Sequence, residues 1–119
     1  MIIANVKDVE EIESRDEIVD LSKGKVSRRM LIHHKDTGGP GIVKVHFSKG
    51  ARLNFHTHTG EQILYITDGK GIVATRGKEY IVTPGMVVYI PAGEVHWHGA
   101  TADSPCSQIA VYNGDSKLP

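Results

Sequence analysis

Apolar and polar positions alternate along most of this chain in runs of five to nine residues. In "IVKVHFS", Val43, Val45 and Phe47 fall on one face and Lys44 and His46 on the other. That is the period of two expected of a half-buried strand. "VSRRMLIHH" before it, and "RLNFHTH", "QILYIT", "GIVATR", "KEYIVT", "MVVYI", "EVHWHGA" and "SQIAVYN" after it, read as further strands. Turn residues separate them: "KDTGGPG", "KGA", Asp68-Gly69, Gly77, Pro84-Gly85 and "PAG". No helical period persists beyond the first segment. Strands this short and this evenly punctuated predict an all-β sandwich or barrel. The apolar positions of residues 1–24 are sparse, which predicts an arm of short strand and loop ahead of a barrel over 25–119. A structureless arm of that length is unusual in a compact domain. It is expected to pack on the barrel or on the sheet edge of a partner, and the second option makes the protein a homodimer.

Length and charge narrow the function classes. The 119 residues support one core and not two ordinary ones. Fourteen basic side chains balance fourteen acidic ones, and the sequence pI is about 7.1. That leaves no basic face for nucleic acid. No apolar run reaches the roughly 20 residues of a membrane span, and the first residues lack the pattern of a secretory leader. Cys106 is alone, so no intrachain disulfide forms; the expected location is the cytoplasm.

The chemistry concentrates in two places. His56 and His58 are two residues apart in a strand-like segment and therefore share a face. Paired imidazoles are poor core residues unless something takes their lone pairs, and a divalent transition metal does so. An isolated H-x-H is as often an ordinary surface or core feature. Gln62, beyond the bend at Thr59-Gly60, and His96, in the second segment "PAGEVHWHGA", are the candidates to complete a site.

The spacing of the two segments resembles the cupin family. The first motif reads Gly50, five residues, His56-Thr57-His58, three residues, Gln62, six residues, Gly69. The second reads Gly85, five residues, Pro91-Ala92-Gly93, two residues, His96, three residues, Ala100. The resemblance implies a double-stranded β-helix, or jelly-roll, barrel. Inside it one divalent metal would be held by His56, His58, Gln62 and His96. Two positions depart from the family pattern. Ala100 replaces an asparagine that is not a ligand, and Gln62 replaces the usual glutamate. Glu61 is adjacent, but parity groups Gln62 with Leu64 and Ile66, and the six-residue gap to Gly69 also selects Gln62. Within the family, "HTHTGEQ" followed by "HWHGA" is similar to small bacterial cupins related to carboxymuconolactone decarboxylase. Some of these are manganese-dependent hydroxynitrile lyases with three histidines and a glutamine.

A donor set of three imidazoles and an amide is neutral, so a bound dication keeps its full charge and acts as a strong Lewis acid. Such donors suit Mn, Fe, Co, Ni or Zn, and the resemblance favours Mn. His98 shares a face with His96 and is expected to be a general acid/base, or else a histidine that orients a ligand. Trp97 points the other way, toward packing or an interface. By parity and family position, Val43, Val45, Leu64, Gln108, Ala110 and Tyr112 are expected to line a pocket for a compact, partly apolar small-molecule substrate, with plain barrel core as the alternative for most. His33, His34 and His46 are expected to be solvated or interface residues, and Cys106 structural. The function that follows is a metal-dependent small-molecule enzyme, lyase-like in preference to a dioxygenase. The alternatives are a non-catalytic sensor module, against which the absence of a helix-turn-helix pattern counts, and a storage-like structural barrel, against which the presence of all four ligand positions counts.

Overall fold

A computed structural model describes residues 1–119. The strands are β1 (Ile12–Ser14), β2 (Val26–Ile32), β3 (Gly41–Phe47), β4 (Thr57–His58), β5 (Gln62–Gly69), β6 (Gly71–Thr75), β7 (Lys78–Val82), β8 (Val87–Ile90), β9 (His96–Ala100), β10 (Cys106–Tyr112) and β11 (Ser116–Lys117). Six form one sheet in the order β1-β2-β3-β10-β5-β8. Opposite it lie β7-β6-β9 and the small pair β11-β4. Every pairing is antiparallel. This is the all-β jelly-roll barrel expected from the strand pattern and the two motifs.

Alternation sets the inner face. Val43, Val45 and Phe47 of β3 and Gln62, Leu64 and Ile66 of β5 are buried, while Ile63 and Tyr65 between the latter are exposed. The core also takes Ile18, Val19, Leu53, Val73, Val82, Ile90 and Ala110. Cys106 opens β10 and is buried in this core, not in a loop. No helix is long and apolar enough to cross a membrane.

Two expectations are corrected. The strand through "VSRRMLIHH" stops at Ile32; His33 caps a single helical turn, α1 (His34–Thr37), by accepting the Lys35 N–H at its Nδ1. "RLNFHTH" is not a continuous strand. Arg52, Leu53 and His56 make single bridges, and only Thr57 and His58 extend into β4. The arm packs on its own barrel, one of the two placements expected for it: β1 pairs with β2 and Val19 bridges to Leu53. Residues 18 and 19 belong to the core itself.

Gly69 shows why a motif glycine is needed. Its φ is +78°, and a Cβ there would lie 1.8 Å from the Pro105 carbonyl oxygen. Both the left-handed backbone and the contact forbid a side chain. Gly69→Ala is expected to destabilise the fold by on the order of 3 kcal/mol. That lowers the melting temperature by roughly 10 °C, measurable by circular dichroism; an unchanged melting curve would contradict the geometry.

Candidate metal centre

The two motif segments meet through their backbones at the histidines themselves. His56 N–H donates to His96 O at 2.9 Å and His96 N–H to His56 O at 3.1 Å. This bridge sets the rings side by side, with centroids 4.3 Å apart for His56 and His96, 4.9 Å for His56 and His58, and 5.1 Å for His58 and His96. The ligand nitrogens of all three lie within 4.8 Å of one another. Two ligands about 2.1 Å from one tetrahedral ion lie roughly 3.4 Å apart, so the nitrogens need to close by about 1 Å to share an ion.

The tautomers follow from the neighbours. His56 Nδ1–H donates to Asn54 O at 2.7 Å, and His96 Nδ1–H to Glu94 O at 2.9 Å. A carbonyl only accepts, so the lone pair of each ring is on Nε2. His58 Nδ1, Gln62 Oε1, His96 Nε2 and His98 Nε2 are buried with no hydrogen-bond partner. Unmet acceptors clustered in this way are costly unless a cation takes their lone pairs. The donor set therefore fits a divalent metal. Burial is the main cause that lowers the pKa of these rings: that of His56 falls to about 4, that of His58 to about 3, and that of His96 is also lowered. All are neutral at pH 7, and no proton competes with a metal there.

Gln62 and its neighbour are sharply distinguished. Gln62 is buried and opens β5 opposite Ile90 and Tyr112. Glu61 is exposed and accepts a hydrogen bond from the Tyr89 hydroxyl, away from the histidines.

His98 stacks parallel to His96 at 5.8 Å and lies 5.8 Å from His56. Its Nδ1–H donates to Gln108 Oε1 at 2.9 Å, and Gln108 Nε2 reaches the Cys106 sulfur at 3.7 Å. Phe47 meets the same ring edge-on. Burial holds His98 well below its ordinary pKa, so it rests neutral with Nε2 free. Trp97, between the two histidines, is buried under the Arg52 guanidinium, which lies 3.7 Å from its ring centroid.

His56, His58, Gln62 and His98 line a cavity of about 240 Å³. Its walls mix polar and apolar groups, with Val43, Val45, Ala110 and Tyr112 in the expected places. Leu64 and Gln108 do not reach it. Leu64 is fully buried in the core and Gln108 lies behind His98. Strand parity gave their direction correctly but not their depth.

The His33 and His34 expectation is also corrected. Because the strand gives way to a helical turn, their rings do not alternate. They stack at 4.8 Å and both line the cavity, with His34 edge-on to Tyr112. His46 is partly buried and pairs with the Ser107 hydroxyl at 2.8 Å. Asp16, Arg28, Met30, Ile18, Leu53 and Asp115 also line the cavity and were missed. The signal for Arg28 and Met30 was present in the parity of β2, which sets them opposite Val45 and Val43.

Comparison with known proteins agrees with this architecture. The family model described as a cupin domain matches residues 43–112. An (R)-mandelonitrile lyase from Granulicella tundricola is 38% identical over 68 residues, 56% of this chain and 52% of that protein. The chain thus matches about half the length of that relative. An L-ectoine synthase from Bordetella petrii is 31% identical over 115 residues, 95% of this chain and 82% of that one. The crystal structure of a cupin-like protein from Thermotoga maritima superposes with a TM-score of 0.82 at 33% identity, covering 90% of this chain and 83% of that one. With the matched family model spanning both motifs and a histidine triad inside the barrel, the chain belongs to the cupin family and is of its metal-site type.

Proposed function

We propose that the protein is a metal-dependent lyase for a compact hydroxyl- or carbonyl-bearing substrate, with His56, His58, Gln62 and His96 as the metal ligands. The observation that carries this reading is the cluster of buried, unpartnered acceptor atoms on a cavity that also holds a free histidine nitrogen. A divalent ion held by these residues supplies Lewis acidity toward the substrate oxygen. The rest is the work of the chain. Val43, Val45 and Ala110 exclude water and orient the apolar part of the substrate. Gln108 fixes the His98 tautomer, so Nε2 is presented as the atom that takes the substrate proton. Burial disfavours a charged imidazole, so His98 returns the proton to the leaving group within the same turnover. For a cyanohydrin, the hydroxyl proton passes to His98, the carbon–carbon bond to the nitrile breaks, and cyanide leaves with that proton. Manganese is the favoured ion.

The similarity to an (R)-mandelonitrile lyase makes cyanohydrin cleavage the first assay. Elemental analysis of the purified protein should find one divalent transition metal per chain, and the manganese-loaded form should cleave mandelonitrile without consuming oxygen. Oxygen-dependent cleavage of a diketone or catechol in place of this would support the dioxygenase reading instead.

Gln62→Glu tests the fourth ligand. The variant should retain metal, but the added negative charge weakens the Lewis acid, so the acidic limb of the pH–rate profile moves to higher pH. A profile unchanged from the native one would place Gln62 outside the metal's coordination.

A further inference from the structure

We infer that the cavity takes a substrate whose end remote from the histidine cluster carries a carboxylate, and that Arg28 receives it. This rests on the reading of the cluster as the reacting end.

Arg28 lies in β2 directly opposite Val45, and Met30 opposite Val43. Val43 and Val45 face the cavity, and so do Arg28 and Met30. Arg28 is the sole guanidinium or ammonium lining the cavity, which also carries the carboxylates of Asp16 and Asp115 and the apolar side chains of Ile18, Leu53, Val45 and Ala110. Its side chain is 25% exposed. A partly desolvated cation is costly unless an anion meets it.

The anions present do not fill that role. Arg28 makes one long contact, 3.4 Å from Nη1 to an Asp16 carboxylate oxygen. Asp16 is 57% exposed, and solvent screens an ion pair of this kind. Asp115, at the mouth beside His34, is 74% exposed. A guanidinium offers five donors in a planar fork. Most remain available here, and a carboxylate matches them with two parallel hydrogen bonds. The metal ligands are neutral, so they do not repel an anion.

Size sets a further bound. The cavity, about 240 Å³, lies at the small end of ligand pockets and suits a small organic acid. A site built to pair with a carboxylate discriminates strongly against a neutral analogue, because the guanidinium is then left unpaired. On this basis the substrate is a small hydroxy- or oxo-acid, and a neutral cyanohydrin reports the chemistry without filling the site.

Benzoate and its neutral counterpart benzamide test the assignment by titration calorimetry on both metal-free and manganese-loaded protein. Native protein should bind benzoate at least tenfold more tightly than benzamide in both forms. Arg28→Gln should erase the preference, and Arg28→Lys should retain part of it through charge without the fork. Circular dichroism checks that each variant is folded. Asp16→Asn keeps an amide oxygen to accept the Ile18 N–H and should tighten benzoate binding two- to fivefold by removing the competing carboxylate from the cavity lining; weaker binding there would count against the assignment. Equal affinity for the two probes in native protein overturns it. So does a preference that survives in Arg28→Gln, which would place the anion on the metal and leave the lyase reading intact. Conversely, a preference found in a protein that binds no manganese would sustain Arg28 while overturning the proposed function.

Discussion

Substituting His58 by alanine is expected to strip the purified protein of most of its metal while leaving the barrel folded. His58 is only partly buried, in contrast to His56 and His96, so its loss opens no core cavity. It sits on the two-residue strand β4, paired only with β11. The remaining donors keep their places, because His56 and His96 are fixed by their own backbone hydrogen bonds. What disappears is a direct ligand. Losing even a supporting hydrogen bond behind a ligand typically costs 10- to 100-fold in metal affinity, and losing the ligand itself should cost more. Elemental analysis after gel filtration measures the effect. Native metal content in His58→Ala would sink the assignment of the site, and a loss of metal accompanied by unfolding would show up in the circular dichroism spectrum.

The second large effect belongs to His98. His98→Ala should keep the metal and lose about a hundred- to ten-thousand-fold in turnover, the range a positioned acid/base contributes. The ring is outside the triad, yet its Nε2 is buried, unpartnered and on the same cavity. Gln108→Leu provides a companion measurement. It leaves His98 in place but removes the acceptor that fixes its tautomer, so it should lower turnover with little change in metal content. If His98→Ala lost its metal, His98 would be a ligand or the support of one, and the proton-transfer role would be withdrawn. If both variants kept full activity, the proton would pass elsewhere.

The barrel and the placement of the two motifs were legible because both depend on period and spacing. The alternation in β3 and β5 fixed which residues point inward, and the glycines and prolines fixed where the strands turn. The distinction between Gln62 and Glu61 was legible for the same reason, since one step of register reverses the face. Depth was not legible. Leu64 and Gln108 have the right parity for the cavity, but another layer of side chains stands between them and it. The place where a strand becomes a helical turn was not legible either. His33 and His34 end a convincing β pattern, and only the turn residues after them reverse the chain early enough to stack both rings at the cavity. Arg28 was passed over because a charged residue in a strand is ordinarily assigned to solvent, although its neighbour across the sheet is Val45.

The anchoring of His56 and His96 has a consequence for how such a site tolerates sequence change. Each ring is held by the carbonyl of the residue two positions earlier, Asn54 for one and Glu94 for the other. A main-chain oxygen is present whatever side chain occupies the position. Random substitution at 54 or 94 therefore cannot delete the anchor; it can only shift the local backbone. His98 depends on a side-chain amide that a single codon change removes. On the proposed roles, the ligand pair is thus insulated against drift and the proton-transfer group is not. Across a population of variants, metal retention should outlast catalysis, leaving barrels that still bind a metal as starting material for a different reaction.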